Sequence, residues 1–156
     1  MSINSSKKSY ISHILGIDYG KSKVGLAIGD SETRIAFQYG TLNNDKNLLQ
    51  KIAEIIEKEN IQKIIIGASL ASRVSRLNIT DAEVKSLRLK SDRPWQFGNQ
   101  VSKLLKVKVE YQDEMFTTQQ ARRNLIEKGV KGTKKYDDQE AARIILQSWL
   151  DRQVKI

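Results

Sequence analysis

Residues 14–30, ILGIDYGKSKVGLAIGD, constrain the fold more than any other stretch of this chain. An apolar run ends at Asp18, a Gly-bearing corner follows at Tyr19-Gly20-Lys21-Ser22-Lys23, and a second run, Val24 to Ile28, leads back. Strand-length runs rich in Ile and Val, joined by a short Gly-containing connection, predict a β-hairpin. It carries one acid, Asp18, near its tip. An acid so placed either bonds its own turn backbone or meets a cation, a metal ion or hydrogen-bond donors, because an unpaired carboxylate at the end of a buried strand is costly. Residues far along the chain have to decide between the two.

Downstream, Arg34 to Leu42 reads as a third strand interrupted by Gly40, giving an antiparallel meander. Leu48, Leu49, Ile52, Ile55 and Ile56 recur at helical spacing after Asp45, a candidate N-cap. Gln62 to Gly67 follows as a short apolar strand, of the kind covered on both faces and reached through a crossover helix. Ala68 to Asn78 lacks a period, and Thr80-Asp81-Ala82-Glu83 matches a capping box that opens a short helix. The single proline, Pro94, breaks or restarts it, and Phe97, Val101, Leu104 and Leu105 form the next stripe. Val107 to Tyr111 is the last strand, ending just before Asp113 and Glu114. Two helices close the chain, one from Thr117 to Gly129 and one with Asp137-Asp138 as N-caps and Ala142, Ile145, Leu146 and Trp149 as its stripe. The order β-β-β-α-β-α-β-α-α is that of an α/β protein, a mixed sheet layered with helices.

Composition removes several chemistries. The chain has no cysteine and one histidine, so thiolate metal sites, disulfides and histidine-based triads are excluded, and any metal must be held by oxygen. No apolar stretch is long enough for a membrane span, and Met1 to Tyr10 has no signal-peptide core, which leads to the expectation of a cytoplasmic protein with no membrane partner. The net charge is +9, and residues 71–110 hold nine basic residues against four acids. That imbalance favours a polyanionic partner such as nucleic acid over mere solubility.

Three acids fall at element ends: Asp18 after the first strand, Glu114 after the last, and Asp138 opening the final helix. If the first and last strands are neighbours, three carboxylates converge from three distant places. Crowded carboxylates repel one another unless a divalent cation neutralises them. An all-oxygen set suits Mg²⁺ or Mn²⁺, and two such ions, about 3.5–4 Å apart, serve phosphodiester cleavage.

At this point a resemblance becomes specific. The blocks GIDYGKSKVGLAIGD, IIIGASL, DEMFTT and KKYDDQEAARIIL, in that order, resemble the signature blocks of the YqgF family, RNase H-like proteins described as Holliday-junction resolvase-like or as pre-16S rRNA nucleases. The likeness runs from Ile14 to Leu150 apart from a basic insertion at about 71–96. It implies an α/β, RNase H-like fold with a mixed five-stranded sheet flanked by helices; the length suits one domain, over residues 13–152, and the polar residues 1–12 read as a flexible N-terminus. It also implies a metal-dependent nuclease whose catalytic and metal-binding acids are Asp18, Glu114 and Asp138, holding two Mg²⁺ or Mn²⁺ ions. The substrate would be precursor 16S rRNA, cut in 5′-end processing, or a four-way DNA junction. Cutting a junction symmetrically requires a homodimer, whereas RNA cleavage allows a monomer.

Lys23 stands where the family often has Arg and is a candidate phosphate contact or an exposed hairpin lysine. Lys131, Lys134 and Lys135, in the basic stretch before Asp138, are candidate phosphate ligands. Arg73 and Arg76 are candidates for nucleic-acid binding or for a solvated face. Trp95, Phe97 and Trp149 are read as core rather than as base-stacking residues. Gly67-Ala68-Ser69-Leu70 lacks the family's proline, and Met115 replaces its arginine after Asp113-Glu114. Both changes lie near the expected site and keep open a non-catalytic nucleic-acid-binding protein. Asp18-Tyr19-Gly20 also resembles the opening of actin-like and sugar-kinase ATPases, but those need two lobes and a second phosphate loop.

Overall fold

A computed structural model of the chain describes residues 11–68, 93–113 and 134–153, with the side chains of the last segment from Asp138 onward. Among these residues the elements are β1 (His13–Tyr19), β2 (Lys23–Asp30), β3 (Ala36–Asn43), α1 (Leu48–Lys58), β4 (Ile61–Ala68), α2 (Arg93–Leu105), β5 (Lys108–Asp113) and α3 (Lys134–Arg152). The strands form one five-stranded sheet in the order β3-β2-β1-β4-β5. The pairs β1–β2 and β2–β3 are antiparallel, while β1–β4 and β4–β5 are parallel. This is the RNase H-like mixed sheet expected from the sequence. Strand β4 separates β1 from β5, so the first and last strands are not neighbours and the condition for a convergence through them is not met.

Each face of the sheet has its own core. Leu15, Ile17, Val24, Leu26, Ile64 and Ile66 point to one side, where Leu48 and Ile52 of α1 and Phe97 and Val101 of α2 cover them. The alternate residues Ile14, Ala27 and Ile65, with Ala36, point to the other side and meet Ala142, Ile145, Leu146, Trp149 and Leu150 of α3. The Ile run of β4 is therefore enclosed on both faces, as a continuous apolar strand requires. Helix α3 comes very close to the sheet: a methyl group on Gly16 would stand 2.7 Å from the Leu146 Cβ. Trp149 anchors the far end of α3, its Nε1 donating to Glu110 Oε1 at 3.0 Å.

Several boundaries differ from expectation for identifiable reasons. Strand β3 starts at Ala36, because Asp30 organises the preceding turn by accepting the backbone N–H groups of Glu32 and Thr33. Within β3, Leu26 faces Gly40 and Ala27 faces Gln38, leaving Tyr39 as the extra residue of a bulge. Asp45 is not the N-cap of α1; it accepts from the N–H of Asn47 in the turn just before the helix. Pro94 is the second residue of α2, where a missing N–H does no harm. Leu104 is 63% exposed, so the α2 stripe runs through Phe97, Val101 and Leu105. Strand β5 includes Asp113 instead of stopping before it. Helix α3 begins at Lys134, so Asp138 lies a turn inside the helix and is not its cap. The aromatic residues are structural: Phe97 stacks on Tyr19, Trp95 stacks on Tyr111, and Trp149 is buried. The expected helices near Thr80 and Thr117 fall outside the described residues, as do residues 1–10 of the N-terminus and residues 71–92 of the insertion, whose last four residues belong to α2. No helix among the described residues is long and apolar enough to cross a membrane.

Candidate metal centre and active site

The parallel strands β1, β4 and β5 all point their C-terminal ends the same way, and the hairpin tip, the start of β2 and the first half of α3 lie at that end. In open α/β sheets, this is where ligands are bound. The hairpin tip is tied down there: Gly20 N–H donates to Lys23 O at 3.0 Å, and Asn44 Nδ2 donates to Gly20 O at 2.7 Å. The end of β3 thereby braces the loop that follows Asp18.

Asp18 is the direct cross-strand partner of Gly25. Residues opposite each other in an antiparallel pair project to the same face. A methyl group on Gly25 would lie 2.0 Å from the Asp138 carbonyl oxygen and 3.0 Å from the Asp138 Cβ. Asp18 and Asp138, 120 positions apart, thus flank one glycine on the α3 face of the sheet. The glycine is what lets the helix backbone come down onto the strand there. Both acids are half-buried, and the Asp138 Oδ2 atom is out of contact with solvent.

The remaining candidates are placed as follows. Glu114 follows the last residue of β5 and lies outside the described residues, as do Arg73, Arg76 and Lys131; Lys134 and Lys135 belong to α3, but their side chains are not described. Among the described residues no group of three His, Asp or Glu side chains forms a metal cluster. Lys23 is exposed at the hairpin end, its Nζ donating to Asn43 Oδ1 at 2.6 Å. His13 starts β1, at the opposite end from Asp18, with Nδ1 2.6 Å from Glu59 O. The donors that can share an ion with Asp18 are therefore oxygens, and a carboxylate pair on one face, partly withdrawn from water, fits a hard divalent cation.

Sequence reasoning missed two features here. One is Gly25, although Gly16, Gly25, Ala27 and Gly29, all small and on one face of the hairpin, are the pattern of a strand pair approached by another backbone. The other is Glu140, whose side chain is 2% exposed. Its Oε1 accepts from Gln38 Nε2 and from Arg143 Nε, each at 2.8 Å, and its Oε2 accepts from Arg143 Nη2 at 2.8 Å. This hydrogen bonding and charge hold the Arg143 guanidinium above its already high ordinary pKa. The Glu-x-x-Arg spacing was the available signal.

Comparison with known proteins identifies the family. The family model described as RuvX, Holliday junction resolvase, matches residues 12–152. Several relatives carry the name "Putative pre-16S rRNA nuclease", two of them at 33% identity. The one from Malacoplasma penetrans is 33% identical over 144 residues, covering 89% of this chain and 94% of its own. The one from Caldanaerobacter subterraneus subsp. tengcongensis is 33% identical over 146 residues, covering 90% and 96%. Among solved structures, T. thermophilus RuvC in complex with a Holliday junction substrate matches with a TM-score of 0.51 at 14% identity, covering 91% of this chain and 95% of that one, a likeness of fold. A family match from residue 12 to residue 152, with a third of positions identical to relatives spanned almost end to end, shows that this chain belongs to the RuvX (YqgF) family.

Proposed function

We propose that this protein is a metal-dependent nuclease that hydrolyses phosphodiester bonds in nucleic acid, acting in the cytoplasm on the 5′ extension of precursor 16S rRNA. The observation that carries the reading is the meeting of Asp18 and Asp138 about Gly25 at the C-terminal end of the parallel strands. Glu114, next in sequence after the last residue of β5, is the third acid of the reading. Asp18, Asp138 and Glu114 would hold two Mg²⁺ or Mn²⁺ ions. Such ions, when bound, make water nucleophilic at neutral pH and stabilise the oxygen that leaves in an in-line displacement.

The chain's own residues supply position and grip. Asp18 is positioned by the β1–β2 register and Asp138 by the seating of α3 on Gly25, so in this reading the fold brings both acids to one face of the sheet. Lys23, beside them at the hairpin end, is a phosphate contact in this reading, with Lys131, Lys134 and Lys135 before Asp138 and Arg73 and Arg76 after β4. These cations orient the backbone rather than read bases.

RNA is favoured because the relatives at 33% identity are named for precursor rRNA. A four-way DNA junction is the second reading, favoured by the family description and by the shared fold with RuvC, and it requires a homodimer where the first needs only a monomer. End-labelled precursor 16S leader and a synthetic four-way junction, each incubated with Mg²⁺ or Mn²⁺ and with wild type or Asp18→Asn, separate the two. Cleavage of the leader that disappears in the variant is expected. Cleavage of the junction alone selects the second reading, and binding without cleavage by either protein refutes both.

A further inference from the structure

Among the described residues Glu140 is the one charged side chain that is buried, and it sits two positions after Asp138 on α3. Its partners explain how it is tolerated. Arg143 grips both oxygens from one turn further along α3, and Gln38 reaches Oε1 from the edge strand β3. The cluster joins α3 to the sheet beside the candidate centre: Gln38 is the cross-strand partner of Ala27, two residues along β2 from Gly25, which touches Asp138.

Its value lies in what the surface beneath α3 lacks. Beside Asp138 the sheet offers Gly25 and Ala27, which present little side-chain surface to interlock with the helix, while Ile14 and Ile65 pack further along it. Such a bed permits close approach but resists sideways sliding poorly, since van der Waals contact with small residues has little direction. Hydrogen bonds to a charged group are directional and short. Glu140 is buried while the Arg143 side chain is 30% exposed, and since replacing a buried ion pair by apolar residues is often neutral or stabilising, the pair is weak evidence for a purely stabilising role.

We propose that Gln38, Glu140 and Arg143 are positioning residues that fix the lateral placement of α3, and through it the distance from Asp138 to Asp18. The inference rests on the reading of these two acids as a divalent-cation site. It assigns no contact with substrate to the three residues; they act only through the helix.

The test is calorimetric titration of the intact protein with Mn²⁺, alongside melting curves and the Mg²⁺ dependence of cleavage. In the double variant Glu140→Met/Arg143→Met, we expect a melting temperature close to wild type with Mn²⁺ affinity reduced about tenfold, the low end of the loss seen when groups that orient metal ligands are removed. The Mg²⁺ needed for half-maximal cleavage should rise by the same factor, with kcat recovered at saturating Mg²⁺. A folded double variant with wild-type Mn²⁺ affinity overturns the proposal. If that variant does not fold, Gln38→Ala, which deletes one bond from an exposed residue, should weaken Mn²⁺ binding by about fivefold, and unchanged binding is then the overturning result. Asp138→Asn serves as the separate control: wild-type Mn²⁺ affinity in that variant removes the acid site itself, whatever the positioning cluster does.

Discussion

Replacing Gly25 by alanine probes the seating of α3 directly. The added Cβ would lie 2.0 Å from the Asp138 carbonyl oxygen and 2.4 Å from its carbonyl carbon, where ordinary contact begins at 3.4 Å. Both atoms are backbone, so no side chain can swing aside, and α3 must retreat by about 1.4 Å or β2 must bend (3.4 − 2.0). Overpacking of this kind costs about 1–3 kcal/mol. Loss of unfolded-chain freedom on exchanging Gly for Ala returns roughly 0.4–1 kcal/mol. The net destabilisation is then about 1–2 kcal/mol, a fall in Tm of roughly 2–8 °C for a domain of this size. The catalytic effect should be far larger, because a misplacement of about 1 Å at a reacting centre costs on the order of a hundredfold. Thermal melts followed by circular dichroism, with cleavage measured well below the transition, give both numbers. Gly40→Ala is the matched control: a methyl group there meets nothing within 4 Å, and the variant should melt at or slightly above the wild-type temperature with full activity. A Gly25→Ala protein that melts and cleaves like wild type would show that the helix does not rest on this strand.

Three further outcomes are expected. Ile65→Ala, at a fully buried β4 position facing α3, should cost about 2–5 kcal/mol in urea unfolding, and a loss under 1 kcal/mol would refute the two-faced core. The Glu110 carboxyl is held below its ordinary pKa of 4.5, chiefly by the hydrogen bond from Lys63 and also by that from Trp149, against an opposing push from burial. Its contribution to stability is therefore complete above about pH 4.5 and is lost as pH falls through the lower folded-state value; Glu110→Gln should flatten that part of the acid limb, and an unchanged slope would count against it. Affinity for an RNA leader should fall linearly in log–log terms with salt, by about 0.7–0.9 per phosphate contacted, and a flat response in filter binding would exclude the phosphate grip assigned to the basic residues.

How far the sequence could be read depended on whether a local pattern had a competitor. The opening hairpin, the Ile run of β4 and the Ala142–Trp149 stripe each obey a single period, and they appear as expected. Asp138 was misplaced as a cap, because Asp137-Asp138 looks like a helix start while the helix already runs from Lys134. Leu104 and Leu105 both fit a helical stripe, and only the position of the sheet decides that Leu104 faces water. Glu140 was invisible because a charged residue in a helix reads as surface until a strand from 102 positions earlier supplies Gln38. The close approach of α3 to β2 at Asp138 depends on Gly25, a residue whose role there is the absence of a side chain.

Whether Asp18 and Asp138 act as one cation site is decided by Mn²⁺ titration of four proteins: wild type, Asp18→Asn, Asp138→Asn and the double variant. If the two carboxylates share an ion, each single change should remove most of the binding, and the double variant should lose little more, the non-additivity of groups acting as a unit. Single variants that retain wild-type affinity, or losses that simply add, would contradict it.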